Sequence, residues 1–126
     1  MKLTDLEKDV LIEFFKIKQI ELEQFINSHD EIEVSSRDFS GMGFFTKFQR
    51  HPCLKVADDN QSYKWGRVGA KLNNERIEAG FLFHIETGYI EMLEGYTYGE
   101  EWPENILCYT VSEIQVWDIN KGEWIK

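Results

Sequence analysis

The sequence predicts an α+β fold: a long N-terminal helix packed on a mostly antiparallel, curved sheet of about five to seven strands. Three observations lead there. The first segment carries apolar residues at helical spacing, from Leu6 to Ile26. From residue 31 onward, alternating and continuous apolar runs are punctuated by Gly, Pro and Asn. The chain has 126 residues, 42% hydrophobic and 14% aromatic, which suits a single domain, 1–126, with a core of its own.

Residues 5–27 read as one helix. Thr4 with Glu7 three positions later has the form of a capping box. Asp5, Glu7 and Asp9 place negative charge where the helix dipole favours it. Leu6, Val10, Phe14, Ile17 and Phe25 form a stripe that Leu11, Phe15, Leu22 and Ile26 widen. A face this wide asks for burial on two sides, by a curved sheet of the same domain or by a partner, a homodimer included. Asn27-Ser28-His29-Asp30 ends the helix.

Glu31–Ser35 alternates like a half-buried strand, and 39–48 reads as a second extended stretch with Gly41 and Gly43 inside it. Ala57–Ser62 is a polar surface loop, and 64–72 resumes strand character before an Asn73-Asn74 turn. Ala79–Glu86 and Tyr89–Glu94 around Thr87-Gly88 form the clearest hairpin. Gly95–Glu104 reads as a loop. Cys108–Val111 and Ile114–Trp117 are late strands, with a short edge strand at Gly122–Ile125.

Several function classes fall away on composition. Nine Phe, five Tyr and four Trp are too many for a disordered chain. Cys53 and Cys108 have no metal-ligand spacing. No run of 18 apolar residues is present, so no membrane span is expected. The charged start Met1–Asp9 does not resemble a secretion signal, so the expected compartment is the cytoplasm. With 14 basic and 23 acidic residues the net charge is −9, which argues against nucleic acid as a partner. Residues 94–126 hold seven acidic and two basic groups, −5 of that −9.

The most distinctive segment is Leu93–Glu104. It gathers Tyr96, Tyr98 and Trp102 among Glu94, Glu100, Glu101 and Glu104, with Gly95 and Gly99 permitting tight turns. Aromatic rings with polar handles are favoured interface anchors, and carboxylates steer a basic partner. These seven residues are the candidate partner-binding set. The alternative is a loop whose rings fold back to cap the sheet, with the acidity serving solubility.

Catalytic and metal-binding combinations are thin, and no cofactor is expected. His84 lies on an expected central strand with Glu86 and Glu91 in reach, and a His–Glu pair can do acid–base work. A lone strand histidine is more often a satisfied structural residue. His29 and His51 sit at turns and are expected to be solvated. Cys108 is expected to be buried and Cys53 exposed. No HExxH, GxSxG, Walker or GxGxxG pattern is present. Arg37-Asp38 reads equally as a structural ion pair or a site.

Two blocks, Ser36-Arg37-Asp38-Phe39-Ser40-Gly41-Met42-Gly43-Phe44-Phe45-Thr46 and Ala79–Ile85 followed by Leu93–Pro103, resemble a family of small uncharacterised bacterial proteins. Size and acidity also resemble the immunity proteins of contact-dependent inhibition and related toxin systems, in type and not in motif. That resemblance implies a non-enzymatic protein that binds and blocks a cognate, basic toxin domain, often a nuclease. A second expectation comes from another class: a cone-shaped, ligand-binding or enzymatic domain with an aromatic pocket near His84, lined by Phe44, Phe45, Phe81 and Phe83.

Overall fold

The computed structural model describes residues 1–114, together with the backbone of two short strands, Val116–Asp118 and Glu123–Ile125. The architecture is α+β. Helices α1 (Asp5–Ile17) and α2 (Glu23–Ser28) precede strands β1 (Val34–Phe39), β2 (Gly43–Phe48), β3 (Tyr63–Leu72), β4 (Ile77–Glu86), β5 (Tyr89–Thr97) and β6 (Tyr109–Glu113). These six strands make one open antiparallel sheet in the order β1-β2-β5-β4-β3-β6. Val116–Asp118 (β7) and Glu123–Ile125 (β8) pair separately. Gln115 and Gly122, which fall in the expected late strands, lie outside the described residues, as do the side chains of 115–126.

The capping box forms as read. The Glu7 N–H donates to Thr4 Oγ1 at 3.1 Å, and the Thr4 N–H donates to Glu7 Oε1 at 2.8 Å. The single helix over 5–27 does not form: α1 ends at Ile17. Gln19 takes φ +56°, its N–H donates to the Lys16 carbonyl at 3.2 Å, and the Ile20 N–H donates to the Phe15 carbonyl at 3.0 Å. This is a Schellman stop with Gln in the left-handed position that Gly usually fills. The chain then turns back and α2 covers the second side of α1: Phe15 and Phe25 stack with ring centroids 5.1 Å apart. The wide apolar face is therefore closed by the sheet and by α2, both from the same chain.

The first strand starts later than its alternation suggested. Residues 29–31 form a 3-10 turn, and β1 and β2 are the arms of a hairpin, so the stretch 39–48 is a turn and a strand rather than one strand. Gly41, at φ +87°, makes that turn. Thr87 (φ +47°) and Gly88 (φ +86°) join β4 to β5 as a two-residue turn with both φ positive, the geometry that matches strand twist.

One face of the sheet meets α1. Phe14 lies 4.6 Å from the Phe83 ring and 5.0 Å from that of Trp65. Val68 and Leu72 on β3, Phe81, Phe83 and Ile85 on β4, Leu93 on β5, and Phe44 and Phe48 on β2 complete this core. Each such side chain contributes about 1.5–3 kcal/mol through burial. Residues of opposite parity, among them His84, Glu94 and Tyr96, face away from α1. Among the described residues no helix is long and apolar enough to cross a membrane.

Candidate partner-binding site

Strand β5 runs on to Thr97, so the segment read as a loop from Gly95 is strand for its first residues. Gly95 is not a turn residue. It is buried in β5, where an added Cβ would come within 2.3 Å of the Phe44 ring. Gly99, at φ +97°, does turn the chain.

The alternation of β5 separates the seven candidates. Glu94 and Tyr96 point away from α1. The Tyr96 ring lies over Gly80, where a Cβ would meet its Cζ at 2.6 Å, and Tyr98 stands edge-on to it at 5.6 Å. Tyr98 is exposed. Burial, together with the nearby Tyr98 hydroxyl and Glu94 charge, pushes the Tyr96 phenol up to about 12. Glu94 faces His84 at 3.3 Å, across the β4–β5 pair.

Trp102 goes to the other side. It is half-buried, with its ring 5.0 Å from Phe44 in an edge-on stack. The Trp102 backbone N–H donates to the Gly41 carbonyl at 2.7 Å. The Thr97 N–H donates to the Met42 carbonyl at 2.9 Å, and the Thr97 hydroxyl reaches the same carbonyl and that of Glu100. The segment is thus fastened to the β1–β2 turn. Glu100, Glu101 and Glu104 are exposed, and none takes part in an ion pair among the described residues.

Beside Trp102 opens a cavity of about 420 Å³, between the start of α1, the β1–β2 hairpin and the chain from Trp102 to Tyr109. Its floor holds an ion pair of Arg37, made with Glu7 of α1 and not with its chain neighbour Asp38. Arg37 Nε and Nη2 donate to Glu7 Oε2 and Oε1 at 2.9 and 2.7 Å, and the Thr46 hydroxyl donates to Oε2 at 2.5 Å. The Glu7 side chain is 2% exposed, and each of its oxygens is satisfied. Around this floor Leu6, Phe44 and Ile106 supply apolar walls. Phe39 and Leu107, 66% and 85% exposed, stand at the mouth with Met42 nearby in sequence and also exposed.

None of these mouth residues belongs to the predicted set. Asn73 is a further missed residue. Its amide accepts from the Leu107 N–H at 2.7 Å and donates to the Asn105 carbonyl at 3.0 Å, holding that stretch against the β3–β4 turn. Asn73 and Asn74 together read as a turn, and both take positive φ, +52° and +63°; the side-chain bonds of Asn73 to the 105–107 stretch carry no signal in the sequence.

The cysteines exchange their expected settings. Cys53 is buried, its thiol pushed up to about 11 by desolvation and then by Glu31, whereas Cys108 is exposed. His29 and His51 are half-buried rather than solvated. His51 Nδ1 accepts from the Cys53 N–H at 3.1 Å, and its Nε2 lies 3.4 Å from Glu31. His84 and the Phe81 and Phe83 rings occupy opposite faces of β4, and Phe45 also faces away from Phe44. Those residues therefore do not share one pocket. Among the described residues no group of three or more His, Cys, Asp or Glu side chains is gathered as for a metal. Comparison with protein-family models, curated proteins and solved structures finds no match to this chain.

Proposed function

We propose that this chain is a non-enzymatic acidic binding protein of the immunity type, which binds and neutralises a cognate basic toxin domain. One observation carries the reading. Three exposed carboxylates with no described ion-pair partner, Glu100, Glu101 and Glu104, flank Trp102 next to the exposed Phe39 and Leu107. An apolar patch with a charged rim is the usual form of a protein interface. An excess of one sign raises encounter rates with a partner of the other.

In this reading the carboxylates occupy the surface with which a nuclease-type toxin would grip phosphate, and the aromatic residues supply contact area. Glu94, Tyr96 and Tyr98, on the sheet face away from α1, form a second contact face. A small ligand held near His84 has less support, because His84 pairs with Glu94 away from both the aromatic core and the cavity.

The test is binding to the purified product of the neighbouring gene, by calorimetry, with protection of a cell that produces it as the second readout. Binding that weakens with Glu100→Gln, Glu101→Gln and Glu104→Gln combined supports the reading. No binding to a basic domain overturns it.

A further inference from the structure

The groove beside Trp102 differs from the cavity of about 290 Å³ beside Tyr98, which carries both Lys71 and Glu78, in its greater volume and its unbalanced rim. Its floor charges cancel. Glu7 is saturated by Arg37, Thr46 and the Thr4 N–H, and Arg37 spends its remaining Nη2 bond on the Lys2 carbonyl at 3.1 Å. Its rim charges do not cancel. Asp5 and Glu104 are exposed and lie in no ion pair among the described residues, and no unpaired cation lines the wall. A smaller cavity of about 320 Å³, lined by Phe39, Gly41, Trp102, Pro103 and Glu104, extends the groove past the β1–β2 turn. Both sides are fixed in advance: Trp102 by the Gly41 carbonyl, and the Asn105–Leu107 stretch by Asn73. A wall already in place loses little entropy when something docks.

We propose that this groove receives a cationic amphipathic segment of the partner protein, with an apolar side chain between Phe39 and Trp102 and an adjacent Lys or Arg held by Asp5 and Glu104. The exposed Phe39 ring and the half-buried Trp102 ring also offer faces on which a guanidinium or ammonium can rest. This rests on the proposed function for the existence of a basic partner. It adds which face that partner meets and what chemistry the contacting segment carries.

Two arms test it. In the first, the probes are the blocked tripeptides acetyl-Lys-Leu-Lys-amide, acetyl-Lys-Gly-Lys-amide and acetyl-Glu-Leu-Glu-amide. The readout is the Trp102 indole N–H signal, assigned through Trp102→Phe. The Lys-Leu-Lys peptide is expected to shift that signal with a Kd on the order of millimolar. The shift should vanish in Phe39→Ala with Leu107→Ala, and weaken in Asp5→Asn with Glu104→Gln. No shift at about 10 mM, or an equal shift from either control peptide, overturns the inference.

In the second arm, the toxin domain should lose about tenfold or more in affinity for the Phe39→Ala, Leu107→Ala variant and little for Tyr98→Ala. The reverse pattern leaves the proposed function standing and overturns this inference. If the toxin domain binds neither variant nor the unaltered chain, the proposed function falls and the peptides alone decide the groove. Self-association at the same concentrations, abolished by Phe39→Ala, would make the occupant a second copy and likewise overturn the inference.

Discussion

Arg37 holds Glu7 in a two-pronged ion pair, Nε to Oε2 at 2.9 Å and Nη2 to Oε1 at 2.7 Å, joining the first turn of α1 to strand β1. The same carboxylate closes the capping box of α1 and accepts from Thr46 on β2. One buried group therefore fixes the angle at which the helix meets the β1–β2 hairpin, and with it the walls of the groove beside Trp102. A bidentate guanidinium–carboxylate pair supplies direction as well as attraction.

Removing one member should be costly, because the other stays buried and uncompensated. Arg37→Ala is expected to lower stability by about 3 kcal/mol, read from urea unfolding midpoints. Glu7→Gln keeps the shape and should cost less. A loss under about 1 kcal/mol for Arg37→Ala would mean the carboxylate is better solvated than its burial implies.

The stop after α1 gives a prediction of opposite sign. A non-glycine residue in the left-handed region carries a local steric cost of about 1 kcal/mol. Gln19→Gly relieves it, and should raise stability by up to about 1 kcal/mol, offset in part by the freer unfolded chain. A measured loss would show that the Gln19 side chain contributes a contact of its own.

That stop also shows where the sequence ceased to be legible. The capping box at Thr4 and Glu7 and the Thr87-Gly88 turn use residue types that announce their geometry, and both form as read. Gln19 announces nothing, so the helical pattern ran on to residue 27. The candidate site divided for a related reason. Tyr96, Tyr98 and Trp102 are neighbours along the chain, but β5 continues to Thr97, and strand parity sends Tyr96 to one face while the later turn carries Trp102 to the other. Phe39 carries no sign of its exposure in the sequence, because 39–48 reads as one extended stretch, whereas Phe39 ends the first arm of a hairpin. Burial of Cys53 and exposure of Cys108 depend on where a 3-10 turn and a loop lie in three dimensions, which local polarity does not report.

The two thiols should separate chemically. Cys108 is exposed, and Cys53 is buried with its thiol pushed up to about 11. Iodoacetamide at pH 8 should modify one thiol in the native protein and both in denaturant, counted by mass spectrometry. Rapid native labelling of both would show that the His51–Leu54 turn opens readily.

Alkali should act through Tyr96 and through Tyr109, whose hydroxyl donates to Asp9 and which burial and that carboxylate hold neutral above the ordinary tyrosine range. The folded value of Tyr96, pushed up to about 12, lies above the value near 10 of an unfolded tyrosine, so the fold favours the neutral phenol. The associated stability is complete below about pH 10 and is lost as pH rises through 10 toward the folded value. Absorbance at a phenolate wavelength should show two late-ionising tyrosines, Tyr96 and Tyr109, and only one of them in Tyr96→Phe. Tyr96→Phe should also flatten the alkaline fall in stability. A Tyr96→Phe variant that loses no late-ionising phenol would show that Tyr96 titrates with the exposed tyrosines and that Tyr109 alone ionises late.

The central claim is that exposed carboxylates beside Trp102 recruit a basic protein. Its most direct test is the association rate of the toxin domain with this chain, followed from low to physiological salt, for the unaltered protein and for Glu100→Gln, Glu101→Gln, Glu104→Gln combined. The account predicts a rate that falls steeply with salt in the unaltered protein, and a slower, flatter dependence in the variant. Equal rates and equal salt slopes for the two proteins would contradict it.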